Sequence, residues 1–185
     1  IYSKNKQLRK ALADYTQAIR YKGDWAQAHY NRGLCHLYLK HPDQALDDFS
    51  RSIELDPKAV KSYLNRGVLY SEQNKLDLAL KDYDNAILYG GDHAHVLSNR
   101  AALNFRMRKF KDALKDCNRA LKADPNYTAA LVNRGSIRAE LGDKVGALED
   151  LRNFVRREPG SPRLGAVKEL IDALSRPCHS HFLNS

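Results

Sequence analysis

The sequence predicts an all-α protein, a solenoid of antiparallel helix pairs. Three residue series predict it, each repeating every 34 positions. The first is the pairs Asn31-Arg32, Asn65-Arg66, Asn99-Arg100 and Asn133-Arg134. The second is Ala11, Ala45, Ala79, Ala113 and Ala147, each followed four residues later by a bulkier or apolar side chain: Tyr15, Phe49, Tyr83, Cys117 and Leu151. The third is Pro57, Pro125 and Pro159, with Gly23 and Gly91 in the two remaining slots. No insertion breaks the phase from Ala11 to Pro159. A unit of this length holds one helical hairpin, which cannot bury its apolar side alone, so neighbouring units must stack.

The elements follow in order. Residues 1–25 fit the second half of a hairpin whose first helix is mostly missing, so further repeats are expected upstream. Residues 26–59, 60–93, 94–127 and 128–161 are full units. In 60–93 the first helix is predicted near 60–73 and the second near 77–89, with Asn74-Lys75-Leu76 as the turn. Leu78, Ala79, Asp82, Tyr83, Ala86 and Ile87 have helical spacing. Pro57, Pro125 and Pro159 stop the second helices of their units, because proline cannot continue a helix. Gly33, Gly67, Gly135 and the alanine series let two helix backbones approach closely. Pro162 opens a last helix, 162–176, with Leu164, Val167, Leu170, Ile171 and Leu174 in one apolar stripe and Arg163, Glu169 and Asp172 opposite. It reads as a capping helix over the final unit. Residues 1–176 thus form one solenoid, and 177–185 are expected to be a loose tail.

Small residue, small residue, aromatic, then proline on a 34-residue period resembles the tetratricopeptide repeat (TPR) over nearly the whole chain. The resemblance implies a right-handed α-solenoid of about four and a half repeats plus the cap. Two departures stand out. The family's aromatic near the start of the first helix is replaced in most units, where His29, Tyr63, Leu97 and Leu131 occupy the slot. The family's usual leucine before the glycine is arginine in all four full units.

Those arginines have acidic counterparts. Arg32, Arg66, Arg100 and Arg134 each precede an aspartate by 16 residues: Asp48, Asp82, Asp116 and Asp150. That offset puts each pair on facing helices of one hairpin, and a guanidinium fork suits a carboxylate. The expectation is a repeated structural ion pair fixing helix register.

The asparagines are harder to explain by packing. The resemblance implies that first helices line a concave groove, with Asn31, Asn65, Asn99 and Asn133 facing it, as in the asparagine-lined solenoid of O-linked N-acetylglucosamine transferases. An amide donates and accepts together, so it can pair with a peptide backbone in either sense. Helices stack about 10 Å apart and an extended strand advances about 3.3 Å per residue, so one asparagine per unit could grip about every third residue. Helical spacing adds Tyr30, Tyr38, Lys61, Leu64, Val68, Phe105 and Arg106 to this face. Chaperone-binding TPR members hold a terminal carboxylate with lysine, asparagine and arginine. Here only Lys61, Arg106 and the asparagines could contribute.

The expected function is therefore non-catalytic: a scaffold or adaptor binding an extended peptide segment of another protein. The alternatives are a co-chaperone-type module that captures chaperone C-termini and a structural subunit of a larger assembly. No Ser–His–Asp set, phosphate-cradling glycine loop or nucleophile motif is present, and no cofactor or metal is expected. No run of about 18 apolar residues exists to span a membrane. Cys35, Cys117 and Cys178 are odd in number and lack CxxC spacing, which favours a reducing, cytoplasmic location. The net charge of +9 is local, with six basic and two acidic residues in 1–25, and eight and three in 94–127. The basic run Arg106-Met107-Arg108-Lys109-Phe110-Lys111 crosses an inter-helix turn, where a solvated cluster is the ordinary explanation, so nucleic acid is not the expected partner.

Overall fold

The computed structural model describes residues 2–176, which form ten helices: α1 (Tyr2–Tyr21), α2 (Ala26–Tyr38), α3 (Pro42–Leu55), α4 (Val60–Glu72), α5 (Leu76–Gly90), α6 (Ala94–Arg106), α7 (Phe110–Ala123), α8 (Thr128–Glu140), α9 (Lys144–Arg157) and α10 (Leu164–Ser175). No strand occurs among the described residues, and none of these helices is long and apolar enough to cross a membrane. The pairs α2/α3, α4/α5, α6/α7 and α8/α9 are hairpins, α1 packs on α2, and α10 packs on α9. The expected tail, 177–185, lies outside the described residues.

Each hairpin turns in one way. Lys40, Asn74, Arg108 and Gly142, spaced by 34, adopt left-handed backbone with φ of 65°, 60°, 58° and 82°. The next residue's N–H reaches back to the first helix in all four turns, His41 to His36 O, Lys75 to Tyr70 O, Lys109 to Asn104 O and Asp143 to Arg138 O, at 2.8–2.9 Å. This is a Schellman closure, which satisfies helix-end carbonyls and reverses the chain within a few residues. Between hairpins, Pro57, Pro125 and Pro159 lie two residues past Leu55, Ala123 and Arg157, while Gly91 ends α5 at φ 79°. Pro162 does not open the last helix. Residues 159–163 make turns, with Leu164 N–H bonded to Ser161 O, and α10 begins at Leu164.

The hairpin seams are closed by small-against-large contacts. Ala45, Ala79, Ala113 and Ala147 are fully buried. A Cβ added at Gly33 would lie 2.8 Å from Phe49, at Gly67 2.9 Å from Tyr83, and at Gly135 2.8 Å from Leu151. At the one unit with Ala101 in place of glycine, the facing residue is the smaller Cys117, and both are fully buried. Between hairpins the core is continuous. Tyr83 and Ala86 of α5 pack with Val96 and Leu103 of α6, and Leu131, Leu151 and Phe154 of the last hairpin pack with Val167 of α10.

Candidate functional site

Each interhelical arginine closes on its own aspartate. Arg66 Nε and Nη2 donate to the two carboxylate oxygens of Asp82, both at 2.8 Å. Arg100 and Asp116 repeat the fork at 2.8 and 2.6 Å, as do Arg134 and Asp150. Arg32 reaches Asp48 at 2.6–3.1 Å. The aspartates are buried, with 3–4% of the side chain exposed, and the arginines retain 17–23%. The hydrogen bond to Asp116 raises the Arg100 pKa above its ordinary value against the opposing effect of burial, and Asp84 adds to the rise.

Two further layers were not anticipated from the sequence. In three of the four arginines the free Nη1 reaches back across the seam to the preceding hairpin: Arg66 to Ser50 at 3.1 Å, Arg100 to Asp84 at 2.6 Å, and Arg134 to Asn118 at 3.0 Å. Ser50, Asp84 and Asn118 share no side-chain type, yet all are acceptors spaced by 34, and that shared property is the signal that could have revealed them. One helical turn beyond each arginine, a polar residue also faces the aspartate in three units. His36 lies 3.9 Å from Asp48, Asn104 donates to Asp116 at 3.4 Å, and Arg138 donates to Asp150 at 2.9 Å. In the first hairpin His29, which stands where the later units have Tyr63, Leu97 and Leu131, also faces Asp48. Its Nδ1 lies 3.3 Å from Asp48 and its Nε2 lies 3.2 Å from Gly23 O.

The first helices α2, α4, α6 and α8 form the other face, joined directly across units. Asn65 Nδ2 donates to Lys61 O at 2.8 Å and lies 3.5 Å from the Tyr30 hydroxyl of the preceding unit. Asn133 Nδ2 donates to Ser98 O and Oγ at 3.1 and 3.0 Å. Asn31 accepts from Gln27 at 2.9 Å. Asn99 makes no side-chain hydrogen bond among the described residues and is half-buried. Each of the three bonded amides uses one end only, leaving the other end free for a ligand.

Of the other residues expected on this face, Tyr30, Leu64, Val68 and Phe105 are half-buried against the core, while Tyr38 is 61% exposed. Lys61 and Arg106 are exposed. Arg106 is already engaged, donating to Ser71 O and Oγ at 3.0 and 2.8 Å and to Asn74 at 3.1 Å. These bonds tie α6 to the end of α4 and the turn after it, and they engage one of the two cations expected to contribute to a carboxylate clamp. The buried thiols offer no nucleophile. Burial pushes the Cys117 pKa up to about 12 and raises that of Cys35 as well.

Three tetratricopeptide-repeat family models match the chain, at residues 26–59, 64–128 and 100–172. Solved structures agree. YrrB, described as a TPR protein with an unusual peptide-binding site, is 21% identical over 86% of this chain and 82% of its own, with a TM-score of 0.73. MamA superposes at 0.77 with 13% identity, over 85% and 92% of the two chains. The first TPR of Spaghetti (RPAP3), bound to the HSP90 peptide SRMEEVD, is 27% identical over 63% of this chain and 92% of its own, at 0.59. No curated protein sequence matches. The fold and its buried ion-pair row define an all-α solenoid built as a protein–protein interaction module. The chain belongs to the tetratricopeptide repeat family.

Proposed function

We propose that this chain is a non-catalytic scaffold or adaptor that holds an extended segment of another protein along the face of α2, α4, α6 and α8. The observation that carries this reading is the row of asparagines with unused amide ends, Asn99 wholly unpaired among the described residues, flanked by half-buried Leu64, Val68 and Phe105. Amides of this kind bond a strand's backbone without reading its side chains, and the apolar residues beside them supply contact area. The peptide-binding descriptions of YrrB and the RPAP3 domain support it by likeness.

The test begins by selecting binders from a library of unstructured 12-residue peptides. Their affinity is then measured by calorimetry for the parent chain and for an N65A/N99A variant. With each hydrogen bond contributing about 0.5–1.5 kcal/mol, the double variant should bind roughly 10-fold more weakly or worse. Unchanged affinity would remove the asparagines from the site. The co-chaperone reading has one supporting observation, the chaperone peptide held by the RPAP3 domain. Arg106's engagement with Ser71 and Asn74 stands against it. A peptide ending in Glu-Glu-Val-Asp should therefore bind no better than its C-terminally amidated form.

A further inference from the structure

We infer that the C-terminal edge of the stack is a second docking surface, and that its occupant is an acidic amphipathic helix of a partner protein. That helix lies where the second helix of one more hairpin would lie.

The register of the stack argues for a helix. Ile53, Ile87, Leu121 and Val155 are equivalent positions, 34 residues apart. Ile53 packs into the core containing Tyr83 and Ala86 of α5. Ile87 packs into the one containing Ala120 of α7, and Leu121 into the one containing Leu151 and Phe154 of α9. At each internal seam, then, this residue packs into a cluster that side chains of the next hairpin complete. Val155 packs into the cluster that holds Val167 of α10, and among the described residues an open groove of about 880 Å³ lies beside it, floored by Val145, Leu148, Val155 and Ile171. Val145 is 80% exposed. A V-shaped apolar floor between two helices is the seat of a third.

Charge argues for acidity. At the internal seams Ser50, Asp84 and Asn118 accept from Arg66, Arg100 and Arg134. The same two positions at the edge are Arg152 and Lys168, which line the groove together. A donor has replaced the acceptor, so two exposed cations share a site built elsewhere for a complementary pair. Arg156 adds a third cation, and Glu149 is the one acidic residue of the lining. Carboxylates on the incoming helix would supply what the seam lacks. A nucleic acid would meet the cations and leave the apolar floor unused.

The chain's own helices provide the probes. A stapled peptide of residues 42–55 is acidic, with Asp43, Asp47, Asp48 and Glu54 against Arg51, whereas 110–123 is basic, with Lys111, Lys115, Arg119 and Lys122 against Asp112 and Asp116. Fluorescence anisotropy against the 185-residue chain should show the acidic peptide binding at least about 10-fold more tightly. R152E/K168E, whose parent side chains are exposed, should reverse that preference, while N65A/N99A should leave it unchanged. Equal binding of the two peptides, no binding of either, or indifference to R152E/K168E would each overturn the proposal. So would concentration-dependent dimerisation abolished by the same reversal, because it would give the groove to a second copy.

Discussion

At the scale of the residue, burial decides what the arginine row is worth. An exposed pair contributes under about 1 kcal/mol, whereas leaving a buried carboxylate without its partner costs about 3–5 kcal/mol. Asp82 is 3% exposed, so Arg66→Ala should destabilise toward the upper range, read as a lower urea midpoint. Replacing both partners, R66M/D82L, should recover much of the loss, because the uncompensated charge is gone. The pairs themselves were legible in the sequence, since arginine and aspartate recur in step at fixed spacing. The engagement of Arg106 was not, because its acceptors Ser71 and Asn74 belong to the preceding unit and recur nowhere as a series. The asparagine row was legible as a series, but a repeated amide carries no sign of which end its neighbours occupy.

At the scale of the element, two features of the hairpin can be tested separately. The seam matches glycine to Phe49, Tyr83 or Leu151, and alanine to Cys117. Cys117→Phe should clash with Ala101 and cost about 1–3 kcal/mol by overpacking. Adding Ala101→Gly restores the pairing seen in the first hairpin, so the double variant should melt above the single one in thermal denaturation by circular dichroism. The turn is the other feature. A left-handed backbone costs an ordinary side chain roughly 1 kcal/mol, and Lys40 and Arg108 bear that cost where Gly142 does not. Lys40→Gly should therefore be stabilising, by up to about 1 kcal/mol, less the entropy glycine adds to the unfolded chain. The sequence located this turn at Asn74-Lys75-Leu76 in one unit, but not its left-handed backbone, because lysine, asparagine, arginine and glycine share no pattern at the slot. The conformation is imposed by the Schellman closure, not by the residue. The start of α10 moved for a similar reason: proline suits a helix's first position, but Ser161 and Pro162 close a turn instead.

At the scale of the whole molecule, stability is distributed among neighbours. Each hairpin touches the units beside it, so damage at one end should stay near that end. Val167 is 3% exposed and packs against Leu131, Leu151 and Phe154. Val167→Asp should loosen α10 and the last hairpin. Amide hydrogen exchange should quicken in 128–157 and change little in 26–59. Equal quickening at both ends would mean that the stack unfolds as one unit. The overall architecture was the most legible level, because a 34-residue period states the unit, the number of copies and their mutual contact together. What the period did not disclose is the difference between the internal seams and the last described one, where a donor, Arg152, stands in the slot that holds an acceptor in the three hairpins before it.

The backward reach of each arginine has a consequence for how such a chain changes length over evolutionary time. Arg66, Arg100 and Arg134 each have an aspartate ahead and an acceptor behind, and the units 26–59, 60–93 and 94–127 each present that acceptor to the copy that follows. Duplicating one of these three units in phase therefore leaves every internal arginine with both partners, and the new junction is no worse than the old ones. A cut out of phase orphans a buried carboxylate at once. That electrostatic requirement favours changes in length by whole units of 34 residues.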